Sequence, residues 1–192
     1  MKAFSAVPEG YRDILHIDLK QDKKLAVFVN VLSIAIGILM AVPMHAVVPF
    51  TTLFAMDDIG MYFARFGVMM VALAAYVVLH EAVHGIAMKL CGTRKVKYGF
   101  TGLYAFAGSE DYYDKSGYLF IALAPVVVWG VVLLLLNLLV PTAWFWVIYS
   151  IQIVNISGAA GDFYVTVKFS KLPADILVRD AGVSMAVFSA KE

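Results

Sequence analysis

Charge is what this sequence has least of. Lys, Arg, Asp and Glu make up 15% of the 192 residues, where soluble domains carry roughly 25%. The 15 basic residues form no long run and the formal net charge is +1, so no nucleic-acid partner is expected. The one cysteine, Cys91, excludes an internal disulfide and a cysteine-rich metal site, and reads as a small packing residue at a helix end. Residues 43–59 and 141–142 contain neither Lys nor Arg. A cleavable signal peptide is not expected, because the first apolar stretch starts too late and runs too long.

Apolar bulk takes the place of charge. Hydrophobic residues make up 62% of the chain and the mean hydropathy is +0.84, whereas globular domains hold roughly 45–50% apolar residues. The expected fold is an all-α integral membrane protein, a single membrane domain over residues 1–192. It would have about four transmembrane helices, with a short β-hairpin or re-entrant segment after the second. Residues 1–24 form a polar N-terminal segment, residues 25–167 the four-helix core and residues 168–192 a polar, soluble tail.

Within the N-terminal segment, residues 14–24 read as a short amphipathic helix lying on the membrane, with His16 on the surface. The expected spans are residues 25–42, ending near Pro43; 60–90, stopped by Gly92; 117–140, with Pro125 inside; and 143–167. Asp57 and Asp58 can cap the second span, and His45 reads as a plain interfacial residue. The fourth span is interrupted across residues 155–162, where small residues either permit close helix contact or let the helix break. Residues 93–117 are rich in aromatic and β-branched side chains and contain Gly99 and Gly102, so they read as a hairpin or re-entrant loop. Such a strand can pair with an extended peptide substrate by edge addition, or be an ordinary surface hairpin.

Basic residues set the expected orientation. The N-terminal segment has Lys2, Arg12, Lys20, Lys23 and Lys24; the 93–117 loop has Arg94, Lys95, Lys97 and Lys115; the tail has Lys168, Lys171, Arg179 and Lys191. Four spans with both termini in the cytoplasm satisfy the positive-inside rule at every loop, giving a multi-pass protein of the cell membrane.

One stretch organises the rest: His80-Glu81-Ala-Val-His84, inside the second span. Histidines four apart leave one face of a helix one turn apart, and both rings can bind one tetrahedral cation. Glu81 stands beside them, where it can touch the water to be activated. Given the four His and four Glu present, a shuffled chain of this composition contains the pattern roughly once in 600 times. Two histidines and a glutamate packed between helices is the plainer alternative, but ionisable groups inside an apolar span are costly and usually functional. By this reading only Glu81 and Asp162 are acidic residues within spans. Pairing Asp162 with the ion held by His80 and His84 removes the cost of an isolated carboxylate and leaves a fourth position open, as a catalytic zinc site requires. A water-exposed carboxylate at a helix end is the alternative for Asp162, and Glu110, Asp111 or Asp114 would then be candidates for the third ligand.

These residues resemble a known pattern. His80-Glu-Ala-Val-His-Gly85, Lys95-Val-Lys-Tyr-Gly99, Ala124-Pro125, Gly161-Asp162 and Arg179-Asp-Ala-Gly182 are similar to the small bacterial membrane zincin peptidases of the DUF3267 type. Those proteins are related in pattern to the site-2 protease class of intramembrane zinc metalloproteases. The sequence departs from the classical site-2 pattern in lacking prolines between Asn155 and Asp162, and in having Phe163 where a glycine follows the aspartate. The resemblance implies a zinc-dependent endopeptidase acting on membrane or juxtamembrane protein substrates, with His80, His84 and Asp162 on Zn2+ and Glu81 as general base. Asn155 would orient substrate, stabilise the oxyanion or make a polar contact between helices. The competing reading is a non-catalytic membrane protein whose motif binds metal structurally or regulates a partner. The presence of Glu81 favours the enzyme, since a structural zinc site has no use for a base.

Overall fold

The computed structural model describes residues 1–56, 58–102, 104–182 and 184–191. In chain order the elements are β1 (Ala3–Phe4), β2 (Arg12–Asp18), α1 (Lys23–Val47), a 3-10 turn (Phe50–Phe54), α2 (Ile59–Leu90), β3 (Lys97–Phe100), β4 (Ala105–Gly108), β5 (Tyr112–Asp114), α3 (Lys115–Leu139), a second 3-10 turn (Thr142–Trp144), α4 (Phe145–Gly158), α5 (Ala160–Ser170), β6 (Leu177–Asp180) and β7 (Ser184–Ser189). The fold is mostly helical, and four stretches are long and apolar enough to cross a membrane: Lys23–Val47, Ile59–Leu90, Lys115–Leu139 and Thr142–Ser170.

The sequence-based spans are recovered with shifted ends. The first helix does not stop at Pro43; it continues to Val47. One missing amide costs one hydrogen bond without forcing the next turn to unwind. The chain then turns as His45 Nδ1 accepts the Phe50 amide at 2.9 Å, which gives this histidine a structural role. Asp58 caps α2, accepting the Gly60 and Met61 amides at 2.8 and 3.2 Å; residue 57, also expected to cap, lies outside the described residues.

The strands bring the main correction. Residues 14–24 are not a surface helix: residues 12–18 form β2, paired antiparallel with β7. A register shift between Asp13 and Leu15 lets the adjacent apolar residues Ile14 and Leu15 interrupt the two-residue alternation. Ile17 is buried and Ile14 exposed. His16 stays on the surface, bonded to Asp13 at 2.5 Å. The tail is strand as well, and the sheet runs β1-β5-β6-β7-β2. Three segments far apart in sequence thus share one antiparallel sheet. The expected hairpin is present as β3 and β4, a separate two-stranded sheet.

Two compact units divide the chain: residues 1–29, 81–125 and 161–192 in one, and residues 30–80 and 126–160 in the other. The first contains both sheets. Its core is Tyr113, Val178 and Val187 from the strands, Met88 from α2, Tyr118 and Ile121 from α3, and Val165 and Phe169 from α5. In the second, one cluster surrounds Leu53, Trp146 and Val147, and another surrounds Tyr76, Leu133 and Ile151. Its buried tryptophan donates to the Val48 carbonyl at 3.1 Å.

Candidate metal centre

The helical spacing of His80 and His84 on unbroken α2 places both rings on one face. The Nδ1 of His84 lies 2.9 Å from the Ile121 carbonyl oxygen of α3. A carbonyl only accepts, so Nδ1 carries a proton, and in the neutral ring the lone pair is then on Nε2. That Nε2 stands 3.8 Å from Asp162 Oδ1, with the two side chains 12% and 22% exposed.

Asp162 is in the first turn of α5, where the helix dipole favours a carboxylate. It gets there because α4 ends at Gly158 and α5 restarts at Ala160. Ala159 and Ala160 are fully buried, so the small residues at the break are packed as tightly as a core.

His80 is oriented by side chains. Its Nδ1 is 2.7 Å from the Tyr76 hydroxyl, which donates to Asn155 Oδ1 at 2.8 Å. Asn155 Nδ2 in turn donates to the Val126 carbonyl at 3.3 Å. Because the hydroxyl proton is directed to Asn155, Tyr76 accepts from His80, so Nδ1 again carries a proton and the neutral ring has its lone pair on Nε2. Asn155 is fully buried, and these two hydrogen bonds are polar contacts between helices.

Ligand atoms of His80, His84 and Asp162 lie within 4.8 Å of one another, the one such group of His, Cys, Asp or Glu among the described residues. Two imidazole nitrogens and a carboxylate oxygen are a donor set of the catalytic zinc type, and both rings present the nitrogen that such an ion needs. The residues fit the ion. Glu81 follows His80 on α2 and is half-buried. The loop carboxylates serve elsewhere. Glu110 accepts from Lys97 at 2.7 Å and pairs with Arg179, and the Lys97 hydrogen bond leads in holding its carboxyl below the usual range. Asp114 caps α3 through the Gly117 amide at 2.8 Å. Asp111 is outside the group as well.

A model of the family described as "Putative zincin peptidase" (DUF3267) matches residues 73–177, more than half of the chain. The chain belongs to the DUF3267 family. This DUF3267 protein is also 29% identical over 119 residues to the "Uncharacterized 24.7 kDa protein in gap 5'region" of Pyrococcus woesei, an alignment covering 57% of this chain and 49% of that protein. The chain therefore spans about half the length of the curated relative it matches. No solved structure matches. The family segment includes Tyr76, His80, Glu81, His84, Pro125, Asn155 and Asp162.

The glycine after His84 has a steric reason in this DUF3267 protein. A Cβ at Gly85 would overlap the Tyr98 hydroxyl of β3, so glycine lets the hairpin lie on α2 beside the second histidine. At the hairpin's other end, the Phe106 ring lies on Gly182, which has φ +100°.

Sequence reasoning missed two of the orienting groups. Tyr76 was detectable in principle, being one turn before His80 on the same stripe; the Ile121 carbonyl has no side-chain signature. Asp180, part of the Arg179–Gly182 segment that carries the resemblance, had no role assigned to it. Buried in β6, it accepts the Tyr118 hydroxyl at 3.1 Å and the Gly182 amide at 2.8 Å. Burial pushes its carboxyl up to about 7, against the opposing pull of those hydrogen bonds and of His84.

Proposed function

We propose that this protein is a zinc-dependent, membrane-embedded endopeptidase that hydrolyses peptide bonds of membrane or juxtamembrane proteins. One observation carries the reading: His80 and His84 of α2, each with Nδ1 engaged so that Nε2 is left for an ion, group with Asp162 of α5, and α2 also bears Glu81. Membership of a family described as zincin peptidases supports it.

The surface supports the membrane setting. The 25 residues of α1 include a single buried side chain, Val29, while Ile34, Ile38, Leu39 and Val42 face outward. Such a surface suits hydrocarbon and is costly in water. Strands of one sheet share one compartment, and the sheet draws β1 and β2 from the N-terminal segment, β5 from the loop and β6 and β7 from the tail. Two spans lie between β2 and β5 and two more between β5 and β6, as the arrangement requires. These are the three Lys- and Arg-bearing segments, so the positive-inside rule puts all of them in the cytoplasm of the cell.

His80, His84 and Asp162 would hold the zinc. When bound, zinc polarises a scissile carbonyl and lowers the pKa of a water toward ~7. Glu81 accepts the proton of the attacking water on its carboxylate and passes it to the nitrogen of the leaving amine. Tyr76 and the Ile121 carbonyl hold the two imidazoles in the tautomer the ligands need. A helical substrate has no free backbone amide to present, so the cleaved segment enters unwound or from a flexible juxtamembrane stretch.

Metal content and turnover of the purified protein test this together. The wild type should carry about one zinc per chain. Glu81→Gln should retain that zinc and lose roughly 10²–10⁴ in proteolysis, measured on substrates found by comparing membrane proteomes of cells carrying either protein. Unchanged cleavage by Glu81→Gln would overturn the general-base assignment, and a zinc-free wild type would overturn the reading as a whole.

A further inference from the structure

The His84 contact with α3 raises a question that helix geometry makes pointed. Backbone carbonyls inside a helix are normally engaged by the amide four residues on. Ile121 lies well within α3, which runs from Lys115 to Leu139, yet its carbonyl oxygen meets His84 Nδ1 at 2.9 Å. Four residues on from Ile121 is Pro125, the one proline inside α3. Proline has no N–H, and its ring crowds the carbonyl four residues back and turns it away from the helix axis. The carbonyl at position 121 is therefore the one in this helix that loses its amide donor to a proline. It is also the one that meets the second histidine of the His-Glu-x-x-His motif.

We propose that Pro125 is a positioning residue of the metal centre: by withholding its amide it releases the Ile121 carbonyl to accept the His84 Nδ1 proton, which fixes the lone pair on Nε2 facing Asp162. Pro125 touches neither substrate nor ion. It acts through one backbone oxygen and one imidazole. Every group involved, His84, Ile121, Pro125 and Asp162, belongs to the same compact unit. Pro125 is itself fully buried, so it is not a surface kink serving solvent exposure. The proline in α1 gives a contrast, because the residue four before Pro43 is Leu39, which faces outward. The proposal rests on the zinc-site reading for its consequence, while the tautomer itself is a property of the metal-free protein.

The experiment uses the full chain in detergent micelles, with zinc as the probe. Histidine ring 15N shifts of the metal-free wild type, assigned by comparison with His84→Ala, should show His84 with its proton on Nδ1. Pro125→Ala restores the amide and retains helix propensity, so it should shift His84 toward the other tautomer. It should also weaken zinc binding by roughly ten- to a hundredfold, the usual effect of losing a partner behind a ligand. Pro43→Ala should change neither readout. An Nε2-protonated His84 in the wild type overturns the proposal with no variant needed, so misfolding of Pro125→Ala would not shield it. A Pro125→Ala protein with unchanged tautomer overturns it too, whatever happens to affinity, as does an equal affinity loss in Pro43→Ala. A wild type that holds the expected tautomer and binds no zinc would instead defeat the function proposed above and leave the role of Pro125 standing.

Discussion

His80 and His84 are one turn apart on one helix, yet their surroundings differ in kind. His84 is oriented by a main-chain carbonyl, which no side-chain substitution at position 121 removes. His80 is oriented through Tyr76, then Asn155, then the Val126 carbonyl. Both routes end on a backbone acceptor of α3 and both leave the proton on Nδ1. One is short and depends on helix geometry, whereas the other is long and depends on two particular side chains. The short route is vulnerable to changes in α3 itself, and the long route to single substitutions at its links.

The largest effects ignore this difference. His80→Ala and His84→Ala each delete a proposed ligand, so both should abolish stoichiometric zinc in elemental analysis; full occupancy in either would place the metal elsewhere. Asp162→Asn comes next. It keeps the shape and removes the only anionic donor of the group, which offsets the ion's charge in a low-dielectric setting. Zinc titration should show weakened binding with both histidines intact.

The next substitutions expose the difference. Tyr76→Phe removes the hydroxyl used by both His80 and Asn155, and should weaken zinc binding by roughly ten- to a hundredfold. Asn155→Ala is milder for the metal, because the Tyr76 hydroxyl still meets His80. It should show mainly as lost stability, of ~1–3 kcal/mol for a buried hydrogen-bonding group deprived of its partner. If Asn155→Ala weakened zinc as much as Tyr76→Phe, the long route would be acting as one rigid unit. Were zinc affinity unchanged in Tyr76→Phe, the route would have no part in metal binding.

How much of this was legible in the sequence depends on the range over which each pattern acts. The four apolar stretches and the His80–His84 spacing are local and were readable from the chain. Asp162 was reached by a less local argument, that a carboxylate inside an apolar span needs a partner, and the structure sets it 3.8 Å from His84. The five-stranded sheet was not readable. Its strands come from the two ends and the middle of the chain, β1 has two residues and β5 three, and the bulge in β2 breaks its alternation. A run that short carries too few periods to distinguish strand from helix. The chain of contacts behind His80 was half visible, as a tyrosine one turn upstream. The contact behind His84 was invisible as a side chain, and only Pro125 stands in the sequence as its trace.

The smallest expected effect lies beyond both routes, in β6, and concerns pH. Asp180 is buried, with its carboxyl pushed up to about 7 by that burial, whereas an aspartate in an unfolded chain titrates near ~3.9. The folded state therefore holds this proton more tightly than the unfolded state between those two values. Stability from this group is fully present below about pH 4 and is lost as pH rises through about 7. The shift amounts to a few kcal/mol at most, since each unit is worth about 1.4 kcal/mol. Asp180→Asn keeps an acceptor for the Tyr118 hydroxyl or the Gly182 amide while removing the titration. Thermal unfolding of the metal-free wild type should show Tm falling between about pH 4 and 7 and levelling off above, and Asp180→Asn should flatten that slope. Because Asp180 feels His84 and Asp162 electrostatically but is not one of the three grouped ligands, zinc stoichiometry should survive the substitution. A slope as steep in Asp180→Asn as in the wild type would assign the pH dependence to another group, and loss of zinc would draw Asp180 into the metal centre itself.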